Sequence, residues 1–164
     1  MDTRAHRARH LPRARAAVAV VAAAAVFPAA AADYRSTGEA ATLLYDAPST
    51  KARPLFVFGR DVPLEVIVPV EGWIKVRDAV GTIGWVEQRA LADKRTLVVR
   101  VPLAEVRANP DDTAPLVFRA EQNVLLELAE QAAGASTTAT PGWVGVRHRD
   151  GQKGYVRIAQ VFGL

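Results

Sequence analysis

The chain has no cysteine among its 164 residues, a single methionine and only 7% aromatic residues. The absence of cysteine excludes disulfide bonds, thiolate metal ligands and a cysteine nucleophile. It also excludes the lipoprotein route, in which a cysteine at the cleavage point is acylated. Because no cross-link is available, the folded state must be stabilised by apolar burial alone.

Histidine is nearly as scarce. Of the three histidines, only His148 follows residue 32. One histidine does not supply the usual ligand set of a zinc site. A nucleophilic triad would have to combine His148, predicted at an exposed hairpin tip, with a serine from predicted loops or the N-terminal tail, namely Ser36, Ser49 or Ser136. We therefore predict that the chain is not an enzyme and has no catalytic residue, no metal site and no cofactor.

The first 32 residues have the order of a secretory signal peptide. Residues 1–15 contain five arginines, residues 16–27 form an apolar run, and small residues lead up to Ala32. The apolar run is shorter than the ~20 residues that a membrane span needs. We predict a signal peptide over residues 1–32 with cleavage near Ala32. The mature protein is then periplasmic or secreted, without a stable membrane anchor.

Beyond this leader, the chain has no excess of either positive or negative charge. The whole chain has 21 basic and 17 acidic residues, and the leader accounts for five of the former and one of the latter. The remainder is formally neutral. A nucleic-acid-binding protein needs clustered positive charge to displace phosphate counterions. We therefore predict no nucleic-acid partner.

What the chain does contain is an internal repeat. GWIKVRDAVGTIGWV begins at Gly72, and GWVGVRHRDGQKGYV begins at Gly142. Upstream, Pro54-Leu55 matches Pro115-Leu116. The repeat predicts two domains, over residues 33–95 and 96–164. The second copy is longer because of residues 129–141, whose composition predicts a surface loop.

The repeat has the pattern of β-structure. Residues 73–77 alternate, with Ile74 and Val76 on the predicted core face. Asp150-Gly151 predicts a tight turn. The return strands are predicted at 83–86 and 153–156, further strands at 63–68, 96–101 and 124–128, and a short 3₁₀ turn near 87–91. The predicted class is all-β, with small barrels or sandwiches.

The segment GWIKVRDAVGTIGWVEQRAL resembles the second half of bacterial SH3 domains, which have a Gly-Trp-aromatic-Lys-Val strand, a tight turn and then Gly-Trp-Val. The resemblance extends over both copies, from about Thr42 to Leu91 and from Leu103 to Val161. It implies two tandem small SH3-like β-barrels. The sequence departs from the family where a usual glycine is replaced by Asp61 and by Asn123 or its neighbour, and where Lys75 becomes Gly145 in the second copy.

Aromatic residues and arginines at matching positions of the two copies are the candidate ligand-binding residues: Tyr45, Trp73, Arg77, Trp85, Trp143, Arg147 and Tyr155. Trp73 and Trp143 lie opposite the predicted core face. They either form grooves for peptides or sugars, or pack over a barrel end or between the copies.

The resemblance implies a non-catalytic binding unit. We predict an exported protein that recognises peptidoglycan or its peptide stems. The alternative is an envelope adaptor or scaffold that binds a partner protein through an aromatic groove or a sheet edge. Because the linker over residues 92–95 is short and has no glycine or proline, we expect the copies to pack against each other.

Overall fold

The computed structural model describes residues 32–129 and 140–164. The predicted signal peptide, apart from Ala32, and residues 130–139 of the predicted loop lie outside these ranges. The described residues form fourteen β-strands and two short 3₁₀ turns. Among them, no helix is long and apolar enough to cross a membrane.

The strands divide into two sets of seven. The first set is β1 (Asp33–Thr37), β2 (Thr42–Tyr45), β3 (Pro54–Phe58), β4 (Pro63–Val70), β5 (Trp73–Arg77), β6 (Ile83–Glu87) and β7 (Leu91–Ala92). The second set is β8 (Thr96–Val99), β9 (Leu103–Arg107), β10 (Leu116–Glu121), β11 (Leu125–Leu128), β12 (Trp143–Arg147), β13 (Lys153–Arg157) and β14 (Val161–Phe162). The 3₁₀ turns, Gln88–Ala90 and Ile158–Gln160, precede β7 and β14. We call the two sets the first and second module.

Each module is one antiparallel sheet. The strand order is β3-β2-β6-β5-β4-β1-β7 in the first module and β10-β9-β13-β12-β11-β8-β14 in the second, so the order is the same in both. The all-β class and the division into two similar small units are confirmed. Among the described residues, β3 and β10 pair on one side only and the two-residue strands β7 and β14 end the opposite edges, so the strand pairing does not close on itself. Each sheet is therefore open.

The predicted strands are present with shifted ends. The strand predicted over 96–101 ends at Val99, because the next N–H, of Arg100, donates to the carbonyl of Gln160, and Pro102 has no N–H to continue a ladder. The strand predicted over 63–68 continues to Val70, and the one predicted over 124–128 begins at Leu125. Strand bounds were not predicted for β1, β2, β3, β9 or β10.

Alternating side chains of each sheet form one apolar core. The first core consists of Leu44, Phe58, Leu64, Ile74, Val76 and Val86. The second contains Leu97, Val99, Ala104, Val106, Ala120, Leu126, Val144, Val146, Val156 and Val161. A Cβ atom on Gly84 would lie 2.6 Å from Leu44 Cγ, and one on Gly154 would lie 2.7 Å from Val106 Cγ1. The repeated glycine therefore lets the neighbouring strand approach closely.

Two turns at matching positions have left-handed backbone. Asp61 has φ 62° and Asn123 has φ 70°. Their N–H groups donate to the carbonyls of Thr37 and Val99, respectively, which places the two residues at the same point of each module. Glycine is favoured in this region, and Asp and Asn are among the residues that tolerate it best. The departure from glycine therefore preserves the turn.

Buried hydroxyls and an ion-pair chain join the modules. Thr96 Oγ1 donates to the carbonyl oxygen of Asp61 at 2.8 Å and is 2.5 Å from Ser36 Oγ. Lys94 Nζ lies 3.1 Å from Asp61 Oδ1 and 2.9 Å from Glu127 Oε1. Ser36, which we expected in a tail or loop, is instead a buried residue of β1 because its hydroxyl takes part in this junction. The two modules are in direct contact, as the short linker predicted.

Candidate functional site

Three aromatic side chains and a lysine share the outer surface of the first module. Tyr45 of β2 is opposite Trp85 of β6, which is in turn opposite Lys75 of β5. Trp73 is two residues before Lys75 on the same side of β5. Because the intervening residues of these strands point into the core, these four side chains point away from it. We call Tyr45, Trp73, Lys75 and Trp85 the aromatic face.

The aromatic face is held together by ring contacts. The rings of Tyr45 and Trp73 are 5.5 Å apart and nearly perpendicular. Lys75 Nζ lies 5.8 Å from the centre of the Trp85 ring. Tyr45 is only 8% exposed, whereas Trp73 and Trp85 are half-buried. Tyr45 therefore supports a surface on which the two indoles and the ammonium group remain accessible to a ligand.

An apolar strip continues the aromatic face toward the edge of the sheet. Leu43 of β2 and Val57 of β3 are cross-strand partners. Both are exposed. Ile83, at the start of β6, is also exposed, but it lies on the other side of Trp85 from Leu43, because Trp85 is opposite Tyr45. Exposed apolar side chains in one contiguous area often mark an interaction surface. The first module thus presents aromatic and aliphatic groups over several adjacent strands.

The second module differs from the first at two of the four equivalent positions, where Arg107 replaces Tyr45 and Gly145 replaces Lys75. Tyr155 occupies the position of Trp85, but its cross-strand partners are Arg107 and Gly145 instead of a tyrosine and a lysine. Arg107 Nη2 is 2.5 Å from Glu105 Oε2, and Nη1 donates to the carbonyl of Ala114 at 2.8 Å. The second module therefore has an anchored guanidinium where the first has the Tyr45 ring.

Trp143 is covered. It is 5% exposed, and the guanidinium carbon of Arg157 lies 4.3 Å from the centre of its ring. Arg157 is also paired with Asp112 from the β9–β10 loop. In the first module the residue opposite Trp73 is Glu87, an acidic residue that cannot form such a cation–π contact. Trp143 is thus packed beneath Arg157, whereas Trp73 is not covered in this way.

The two candidate arginines are bound to carboxylates of neighbouring strands. Arg77 donates to both carboxylate oxygens of Glu65, at 2.8 and 2.7 Å, and Glu65 raises the pKa of Arg77. Arg147 donates twice to Glu127, at 2.9 and 2.6 Å. A ligand carboxylate at either position would compete with a carboxylate already in place. Neither arginine is part of the aromatic face.

The residues considered for catalysis do not come together in the described part of the chain. His148 is at a hairpin tip as predicted, with Nδ1 3.1 Å from Asp150 Oδ2 and its ring centre 5.7 Å from that of Phe118. Ser36 is buried at the junction, and the Ser49 hydroxyl accepts a hydrogen bond from the N–H of Lys51. Ser136 lies outside the described residues. Within residues 32–129 and 140–164, no three His, Asp or Glu side chains form a group that could hold a metal ion.

Sequence reasoning missed the residues that make the modules different. These are Leu43 and Val57 in the first module, and Glu105, Arg107, Asp112, Arg119 and Arg157 in the second. The replacement of Lys75 by Gly145 was visible in the repeat. The replacements of Tyr45 by Arg107 and of Glu87 by Arg157 could have been found in the same alignment by comparing the outward-facing positions.

The chain is similar to several solved structures. NlpC2 from Trichomonas vaginalis is 12% identical with a TM-score of 0.33, over 80% of this chain and 48% of that one. NlpC1 from the same organism is 14% identical with a TM-score of 0.34, over 84% and 48%. An NlpC/P60 family protein from Bacillus cereus ATCC 10987 is 14% identical with a TM-score of 0.35, over 79% and 56%. The chain thus spans about half the length of these proteins.

No curated protein matches the chain. The model of one protein family does, and it matches twice, over residues 39–93 and 100–163. Its description is that of the bacterial SH3 domain. The two matches correspond to the two sheets and together include most of the described residues. The chain therefore belongs to the bacterial SH3 domain family, of which it contains two tandem copies.

Proposed function

We propose that the protein is an exported, non-catalytic binding protein whose first module recognises the peptide stems of peptidoglycan. The observation that carries this proposal is the contrast between the modules. The first has an accessible aromatic face with a lysine beside it, and the second has the equivalent tryptophan buried beneath Arg157. Membership of the bacterial SH3 family supports a cell-wall-related binding role.

The chemistry of the aromatic face suits a short peptide with carboxylate groups. The indoles of Trp73 and Trp85 offer flat apolar surfaces on which amide groups and methyl side chains can stack. The Lys75 ammonium next to Trp85 provides positive charge for a carboxylate. Arg77 is occupied by Glu65, so Lys75 is the cation that we assign to the ligand.

The second module then has a supporting role. Its outer surface is closed by two anchored guanidinium groups, those of Arg107 and Arg157. Opening it would require a ligand to break the Arg157–Trp143 contact and the ion pair with Asp112. The protein should therefore bind one peptide stem per chain, not two.

Co-sedimentation with purified sacculi tests the proposal. Trp85→Ala removes an indole from the aromatic face, and Tyr155→Ala is the matched change in the second module. Truncation of a central aromatic anchor costs about 2 kcal/mol, so we expect Trp85→Ala to weaken binding ~30-fold. Tyr155→Ala should bind as the unmodified protein does. Equal losses in the two variants, or no sedimentation of the unmodified protein, would contradict the proposal.

A second candidate function is that of an envelope adaptor that binds another protein. The exposed apolar pair of Leu43 and Val57 is the observation that favours it, because such a surface can accept an apolar partner segment. If the protein has this function, it should not bind to sacculi. Crosslinking should instead recover a partner protein, and that partner should no longer be recovered with Val57→Arg. Sacculus binding that depends on Trp85 would argue against it.

A further inference from the structure

The edge strand β3 has an unusual composition. It pairs with β2 on one side, and within residues 32–129 and 140–164 no strand pairs with its other side. Its sequence, PLFVF, contains no charged residue, and Leu55, Phe56 and Val57 are 40%, 56% and 55% exposed. An exposed, apolar edge strand is a template for pairing with another strand, and soluble proteins usually protect such edges with charges, bulges or a covering element.

The second module shows that protection at the same place. Its edge strand, β10, contains Arg119 and Glu121. Both edge strands have a register irregularity at the same point, at Val117 in β10 and at Leu55 in β3, so the charged residues are what distinguishes the two edges. Arg119 forms an ion pair with Glu105 at 3.6 Å. By strand register, Arg119 and Glu105 occupy the positions of Val57 and Leu43 in the first module. The edge of the second module therefore has a charged pair where the edge of the first module has an apolar pair.

We propose that β3 pairs with β3 of a second copy of this chain, antiparallel and about a two-fold axis at Phe56. This register places Phe56 opposite Phe56, a favourable cross-strand pair. Val57 then faces Leu55, the residue at the register irregularity between β2 and β3, so both neighbours of the central pair are apolar. No charge lies within the paired segment. The flanking arginines are each accompanied by an acidic partner within their own chain, Arg53 by Asp46 at 3.5 Å and Arg60 by Glu39 at 3.2 Å.

Strand β10 is a poor partner for β3 in the same arrangement. Pairing β3 with β10 would place Arg119, together with its ion pair to Glu105, and Glu121 against apolar side chains, which would remove water from these charges without adding a polar partner. Pairing β3 with itself leaves no charge unpaired. The self-complementary strand therefore favours a symmetric dimer over a head-to-tail chain of molecules.

The β3–β3 contact would bury little surface, so we expect the dimer to be weak. The partly exposed side chains of one short strand and of Leu43 bury far less than the ~800 Å² per partner of a standard stable interface. Pro54 has no N–H and limits the ladder to the residues after it. We therefore expect a reversible dimer with a dissociation constant on the order of 100 μM.

A β3–β3 dimer has a consequence for the binding surface. Strand β2, which carries Tyr45, is adjacent to β3. Continuous pairing across the two-fold axis would place the outer surfaces of both first modules on one side of a larger sheet. Two aromatic faces would then be available to a multivalent target such as a polymer, and avidity would come from two chains.

Sedimentation equilibrium of the processed chain from about 10 μM to 1 mM tests the proposal. The mass should rise from monomer toward dimer. Val57→Arg should remain a monomer throughout, and so should Leu43→Glu/Val57→Arg, which copies the guarded edge of the second module and allows an ion pair. Val80→Arg adds the same charge at an exposed residue between β5 and β6, which do not pair with β3, and should associate like the unmodified protein. Melting curves establish that each variant is folded.

A crosslinking measurement tests the register independently. Because the chain has no cysteine, Phe56→Cys introduces a single thiol at the two-fold axis. Under mild oxidation it should form a disulfide-linked dimer, while Val80→Cys should remain mostly monomeric. A monomeric mass up to 1 mM, persistence of the dimer in Val57→Arg, or equal crosslinking of the two cysteine variants would overturn the proposal.

Discussion

Replacing Thr96 by valine should weaken the junction between the modules. The Thr96 side chain is 2% exposed, and its hydroxyl serves two partners. It donates to the carbonyl oxygen of Asp61 and accepts from Ser36 Oγ, which is the consistent assignment because one hydroxyl has one proton. Valine has nearly the same shape as threonine. Thr96→Val therefore removes the polar contacts without leaving a cavity.

The expected loss of stability in Thr96→Val comes from the Ser36 hydroxyl, which is left without a hydrogen-bond partner. Ser36 is 1% exposed, so water does not replace the lost acceptor. A buried polar group without a partner costs about 1–3 kcal/mol. We expect Thr96→Val to lower the free energy of unfolding by about 2 kcal/mol, which corresponds to roughly 6–10 °C in melting temperature for a protein of this size. Ser36→Ala in the same chain removes the orphaned hydroxyl and should restore about 1 kcal/mol.

Urea unfolding followed by tryptophan fluorescence measures this effect, because both modules contain tryptophan. The unmodified protein, the two single variants and the double variant form a double-mutant cycle. We expect one transition for the intact pair and a favourable coupling between Ser36 and Thr96. A loss below about 0.5 kcal/mol in Thr96→Val, or strictly additive single effects, would refute the junction as described.

Three other outcomes are expected. Gly84→Ala should destabilise the first module by about 3 kcal/mol, because its Cβ would lie 2.6 Å from Leu44 Cγ, whereas Gly59→Ala, with nothing within 4 Å, should be nearly neutral in thermal unfolding. Lys94, and then Arg147, lower the pKa of Glu127. The stabilisation from Glu127 is therefore present above its unfolded pKa of about 4.3 and is lost as the pH falls through the lower folded value, so Glu127→Gln should show a shallower fall in melting temperature below about pH 5. Mass spectrometry of exported protein should find its N-terminus within two residues of Asp33, and recovery of intact Met1 would contradict the predicted leader.

The repeat made most of the fold predictable. Alternation around Trp73 and the paired glycines located the central hairpin of each module, because a half-buried strand requires period-two burial and the turn requires positive φ. The edge strand β3 was harder to predict. All of its residues are apolar, and without alternation a strand cannot be distinguished from other apolar segments.

The candidate site was only partly predictable. The aromatic positions of the first module lie close together, as their matching sequence positions suggested. Whether a tryptophan is covered depends on a side chain far away in sequence. Arg157 covers Trp143 because Asp112, 45 residues earlier, helps to hold the guanidinium in place. Such tertiary contacts are not contained in the local pattern of either strand.

An NMR titration tests the central claim most directly. The chain contains three tryptophans, so its spectrum should contain three indole N–H signals, two from the first module and one from the second. Peptide-bearing fragments released from sacculi by a muramidase serve as the ligand. The account predicts that the signals of Trp73 and Trp85 shift on addition of the fragments while that of Trp143 does not. A shift of the Trp143 signal alone, or no shift of any of the three, would contradict it.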